Sequence, residues 1–165
     1  MTLEPDDDSE VERFFRYVIK GPGPQDCHWW IGSIADDSYG RFWMKRDGRQ
    51  RVVRPHRYAL ALALGRPLQD HEVALHVVCD NPLCVRAWEA LGRPPHVVPG
   101  TQSENLASMA AKGRGGGKTQ PWRWQELDRA GRVARSRRAR EALRNGWDED
   151  ALRHALWQSG NPTLF

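Results

Sequence analysis

Between Leu75 and Met109 the chain gathers the side chains best suited to chemistry: His76, Cys79, Cys84, His96 and Asn105. Cys79 and Cys84 bracket the polar turn Cys-Asp-Asn-Pro-Leu-Cys, a setting where a hydrophobic core has no use for thiols. Such a knuckle can place two thiolates on one tetrahedral ion, which leaves two ligands to find. His96, after Pro94-Pro95, is the nearest third candidate, and Cys27, the one other cysteine, is the natural fourth. A site of three cysteines and one histidine is closed to water and braces a fold. His76 and Asn105 suggest a different use. His76 ends a short strand-like run, and Asn105 falls in the first turns of a helix opened by the capping box Thr101-Gln102-Ser103-Glu104. Packed side by side, these elements set a neutral imidazole opposite an oxygen donor across the width of a phosphate. That pairing suits metal-assisted phosphodiester hydrolysis, with the histidine taking a proton from water at an ordinary pKa of about 6.5.

The elements that must position these groups are legible in part. Ser9 can cap a helix running to about Ile19, with Glu12 at the capping-box position, and Gly21-Pro22-Gly23-Pro24 stops it. From Cys27 the pattern turns to β. Trp29-Trp30-Ile31 and Tyr39–Met44 flank the Asp36-Asp37-Ser38 turn, and the Asp47-Gly48 turn leads to a strand at Arg51–Arg54. Pro55 opens a helix through the Ala-Leu repeat to a Gly65 cap. Glu72–His76 reads as the strand entering the reactive stretch. Beyond a glycine-rich hinge at Gly113–Gly117, an arginine-rich helix spans Trp124 to about Arg144, and Asp148 caps another through Trp157. Trp29, Trp30 and Trp43 read as core. His28, His56, His71 and His154 read as surface or packing residues rather than ligands, and Asp80 as a turn-former.

The 165 residues suffice for one ordinary domain or for a small core with appendages. With 39% apolar residues and a mean hydropathy of −0.72 the core is small, and a metal staple would suit it. No apolar run approaches the ~18–20 residues that cross a bilayer, and no hydrophobic signal segment follows Met1. This points to a cytoplasmic, nucleoid-associated protein. Three cysteines argue against a disulfide framework. The net charge of +4 hides an asymmetry: residues 4–12 carry six carboxylates and no base, whereas Lys112–Arg144 holds eleven Lys or Arg against three acids. A polarised basic block is the electrostatic footprint of a nucleic-acid binder. Arg132, Arg135, Arg137, Arg138 and Arg140 are the expected DNA contacts.

Together these residues resemble the HNH branch of the ββα-metal (His-Me finger) nucleases, most closely its zinc-stabilised, homing-endonuclease-like members from phages and mobile elements. The likeness rests on His76, Cys79-Asp80-Asn81-Pro82-Leu83-Cys84, Pro94-Pro95-His96 and Gly100-Thr101-Gln102-Ser103-Glu104-Asn105. Cys27-His28-Trp29-Trp30, Tyr39-Gly40-Arg41-Phe42, His56-Arg57-Tyr58 and Lys112-Gly113-Arg114 extend it over about residues 25–114. The resemblance implies an α+β fold: a ββα-metal core with an N-terminal helix and β-hairpins, followed by a basic helical extension. The corresponding divisions are 1–24, 25–114 and 115–165. It further implies His76 as general base, Asn105 as ligand of a catalytic Mg2+ or Mn2+, and Cys27, Cys79, Cys84 and His96 as holders of a structural Zn2+. It also implies an arginine at the scissile phosphate, for which Arg49 and Arg51 are candidates. The family's spacing between Cys84 and His96 is shorter, so Arg86–Gly92 reads as a loop insertion. A zinc-braced DNA-binding protein without activity is the alternative within the same fold. Cutting both strands generally wants two active sites, which a homodimer would supply. The terminal Leu164-Phe165 loosely resembles peptides that dock on sliding clamps.

Overall fold

The computed structural model describes residues 8–111 and 128–157. They form an α+β protein with five helices and three two-stranded antiparallel sheets. The Gly113–Gly117 hinge, residues 124–127 and the Leu164-Phe165 motif lie outside the described residues.

Helix α1 (Asp8–Phe15) is shorter than its apolar periodicity suggests. It has begun by Asp8, so Ser9 is an internal residue and not the cap. After Phe15 the chain leaves the helix, and β-branched Val18 and Ile19 join strand β1 (Val18–Lys20). β1 pairs with β2 (His28–Trp30), with Ile19 opposite Trp29. The two aromatic runs flanking Asp36-Asp37-Ser38 therefore do not pair with each other. The first pairs backward with β1, and only an isolated bridge, Ile34 to Gly40, joins the arms of the turn. β3 (Phe42–Arg46) and β4 (Arg49–Val53) form the expected hairpin about Asp47-Gly48, both residues having positive φ. Trp43 was expected in the core but is 43% exposed, because Phe42 and Met44 take the inward positions of β3.

Helix α2 (Pro55–Leu64) starts on its proline and ends with Gly65 in the left-handed region at φ 61°. It buries Tyr58, Ala59, Leu60 and Ala61. Phe14, Trp30, Phe42 and Tyr58 meet at the centre, with Phe14 4.8–5.4 Å by ring centroid from the other three. A polar clamp fastens this cluster. Glu10 is buried and accepts from both terminal nitrogens of Arg46 (2.8 and 2.9 Å) and from the Tyr58 hydroxyl (2.9 Å).

β5 (Glu72–His76) pairs with β6 (Val97–Thr101), and α3 (Gln102–Ala111) follows at once and packs on both strands. The capping box forms as expected: the Glu104 amide donates to Thr101 Oγ1, and the Thr101 amide donates back to Glu104 Oε2. Gly100 leaves room for the Leu75 side chain, since a Cβ there would lie 2.2 Å from Leu75 Cδ1 and make that side chain shift. Helix α4 (Arg129–Ala142) is capped by Asp128, whose Oδ1 accepts from the Gly131 amide at 2.7 Å, and so starts later than Trp124. Helix α5 (Glu149–Trp157) is capped by Asp148, as expected. Ala139, Leu143, Leu152 and Leu156 carry this helical pair into the same core as the hairpins.

Candidate metal centre and adjoining cleft

The β5–β6 hairpin holds in its long connection nearly everything that matters. Pairing sets His76 opposite Val97, and the Val77 amide donates to the His96 carbonyl at 2.9 Å. Beyond them, Asn81 folds the knuckle: its Oδ1 accepts from the Leu83 amide (3.0 Å) and its carbonyl from the Cys84 amide (3.0 Å). The segment after the knuckle lies along β2. Trp30 donates to the Leu83 carbonyl and Val85 to the His28 carbonyl, each at 2.8 Å, which brings Cys84 beside Cys27.

Cys27, Cys79, Cys84 and His96 converge as the sequence suggested. All four are buried, and one ligand atom from each lies within 4.8 Å of the others. The His96 Nδ1 atom is 3.6 Å from Cys27 Sγ and 3.7 Å from Cys84 Sγ. A tetrahedral zinc, with Zn–S of about 2.3 Å and Zn–N of about 2.0 Å, sets S···N edges of about 3.5 Å. The donor set therefore fits a metal ion and is consistent with structural zinc. The electrostatics agree. With protons alone, Cys79 is driven well below the usual thiol range by hydrogen bonds from Cys27 and Cys84. Cys27 rises because its proton is shared with Cys79, and Cys84 rises chiefly through burial. A second and third thiolate in that space need a cation.

His76 is tied to this cluster without belonging to it. Its Nε2 donates to the Cys84 carbonyl at 3.1 Å, which leaves the basic lone pair on Nδ1. Its ring lies 5.3 Å from that of His56, which in turn lies 5.2 Å from Tyr39. His56 is buried and its pKa falls well below the ordinary value, first through burial and then through His76, Arg57 and Arg54. It stays neutral beside His76. His28 is also a buried packing residue, lowered to about 4 by burial and then by the charge of Arg86. His71 and His154 are exposed.

His76 and Asn105 line one cleft of about 500 Å³. Asn105, Ser108 and Met109 face it from α3, and Asp80, Asn81 and Pro82 from the knuckle. Asp37 and Ser38, read as part of a plain turn, and Tyr39, read as the start of the next strand, form another wall. The last wall is α4, through Arg132, Arg135, Ser136 and Ala139, whose spacing puts them on one helical face. Arg49 and Arg51 are exposed on β4 and are not among the residues lining this cleft. Of the five arginines expected to touch DNA, Arg132 and Arg135 line the cleft. Arg138 Nε donates to the Ala155 carbonyl at 3.4 Å, Arg140 lies 3.9 Å from Glu141, and Arg137 is exposed.

The residue that sequence reading missed is Arg86. The stretch read as an insertion is an ordered loop, closed by a turn at Leu91-Gly92 with positive φ at both and bridged from Ala90 to Arg93. Trp88 seats it against Phe15 and His28, at 5.5 and 5.4 Å between rings. Register is kept because the His96 and Val97 amides both donate to the Arg86 carbonyl at 2.9 Å. A lone arginine between apolar residues just after Cys84-Val85 was the available signal. Compared with protein-family models, curated proteins and solved structures, the chain matches none of them significantly.

Proposed function

We propose that this chain is a metal-dependent endonuclease that hydrolyses DNA phosphodiester bonds on a zinc-braced ββα-metal core. The observation that carries the reading is that His76 and Asn105 line one cleft, with His76 anchored through Nε2 on the backbone of Cys84. Cys27, Cys79, Cys84 and His96 hold zinc as scaffold, and β5, β6 and α3 are the ββα unit. His76 Nδ1 takes the proton of the attacking water. Asn105 would offer a hard oxygen to Mg2+ or Mn2+. When bound, that ion neutralises charge on the phosphate and on the leaving oxygen. Arg132 and Arg135 hold the backbone from the α4 side by charge-assisted hydrogen bonds to phosphate. His56, neutral and packed on His76, keeps a second positive charge away from the base.

The test is plasmid DNA incubated with the protein and Mg2+ or Mn2+, with and without chelator. Metal-dependent nicking or linearisation is the expected result. Binding without cleavage under every divalent ion would favour a zinc-braced DNA-binding protein.

A further inference from the structure

Arg86 touches the chain beside three of the four cluster ligands. It stands two residues after Cys84 in the chain. Its carbonyl accepts from the His96 and Val97 amides. Its guanidinium donates through one nitrogen to the carbonyls of Pro24 and Asp26, both at 2.9 Å, immediately before Cys27. The other nitrogen reaches Ala90 (2.8 Å) and Arg93 (3.3 Å) and closes the loop. The side chain is buried at 1% exposure, and among the described residues no carboxylate pairs with it. Carbonyls take protons from both terminal nitrogens, Nε is buried without a partner, and nothing in this shell cancels the charge; an uncompensated buried charge is strongly destabilising. A divalent ion with three thiolates and a neutral imidazole carries a net charge of −1. Arg86 carries +1 and is wired to the ligand backbone.

We propose that Arg86 is the built-in counterion and positioning residue of the loaded cluster, making the loop that interrupts the motif part of the metal centre. It fixes the approach of Cys27 and His96 and neutralises the thiolate-rich site within the fold. This rests on the zinc reading of the cluster, which zinc content of the native chain tests separately: about one tightly held zinc per chain.

The experiment compares zinc transfer to a chromogenic chelator from native protein, Arg86→Gln and Arg86→Lys, with folding checked by circular dichroism. Cobalt-substituted samples report the thiolate–metal charge-transfer band. Loss of a partner that orients metal ligands typically costs about 10- to 100-fold in affinity. Arg86→Gln is expected to release zinc faster by that order and to shift the cobalt band. Arg86→Lys, which keeps the charge, is expected to recover most of the retention. If Arg86→Gln does not fold even with saturating zinc, Arg86→Lys must restore folding and zinc binding. Native-like zinc retention in Arg86→Gln, or a lysine variant no better than glutamine, overturns the proposal.

Discussion

His76 and Cys84 are joined by one hydrogen bond, Nε2 to the carbonyl oxygen across 3.1 Å, and the thiol of the same cysteine lies 3.7 Å from His96 Nδ1. One residue therefore serves the metal cluster with its side chain and the histidine of the cleft with its backbone. In the proposed nuclease the cluster does more than hold the fold: it sets the tautomer and direction of the base. On that proposal the cleft takes part of its geometry from the cluster.

Metal removal is therefore expected to act on both. Stripping the ion with a strong chelator, or replacing Cys79 with serine, should unfold the hairpin region, because the free energy of structural zinc binding is folding free energy. Circular dichroism and metal analysis on the same samples check this. A metal-free protein with an unchanged melting curve would refute it.

A second prediction separates the arginines. If Arg132 and Arg135 hold phosphates from α4, replacing both with alanine should reduce the slope of log affinity against log salt by about 2, since each phosphate contact contributes about 0.9. Replacing Arg49 and Arg51 instead should leave that slope and the cleavage rate near native. Fluorescence anisotropy over a salt series reads the outcome, and a reversed pattern would return the role to the β3–β4 hairpin.

Glu10 supports a stability prediction. Its carboxylate is nearly enclosed and shared between Arg46 and Tyr58. Glu10→Ala removes the carboxylate from a part-buried guanidinium, which keeps its bond to the Lys45 carbonyl, and from a buried hydroxyl, at a cost of about 3 kcal/mol. Urea denaturation of the zinc-loaded protein measures it, and a loss below ~1 kcal/mol, typical of a surface pair, would contradict the assignment.

His56 gives a pH dependence. Its folded pKa lies well below the unfolded value of about 6.5, so below that pH the unfolded chain binds a proton that the folded chain refuses. Stability should be level above about pH 7 and fall as pH drops through about 6.5, by up to about 1.4 kcal/mol per pH unit from this group. His56→Phe keeps a ring beside His76 and removes the proton. The native-minus-variant difference in urea stability from pH 8 to 5, with zinc saturating, should slope accordingly. A flat difference would show that His56 is not held neutral.

What could be read from the chain follows how local each signal is. The Asp47-Gly48 turn, the Pro55 and Gly65 helix ends and the Thr101–Glu104 capping box are determined within a few residues, and all appear as expected. The four cluster residues were legible because thiols in a polar knuckle have few uses. Val18 and Ile19 continue a helical stripe in α1, and only pairing with Trp29 and Trp30 makes them strand. Trp43 looks like core until its neighbours Phe42 and Met44 claim the inner face. Arg86 and the docking of α4 beside His76 depend on contacts tens of residues apart, which periodicity does not carry.

In the proposed nuclease His76 activates water in a cleft completed by Asn105. The most direct test is single-turnover cleavage of plasmid DNA with Mg2+ by the native chain and by His76→Ala, each shown to be folded and zinc-loaded. Loss of a general base costs about 10²- to 10⁴-fold, so the variant should bind DNA as the native protein does and cut it slower by that factor. Equal cleavage by both proteins would contradict the account.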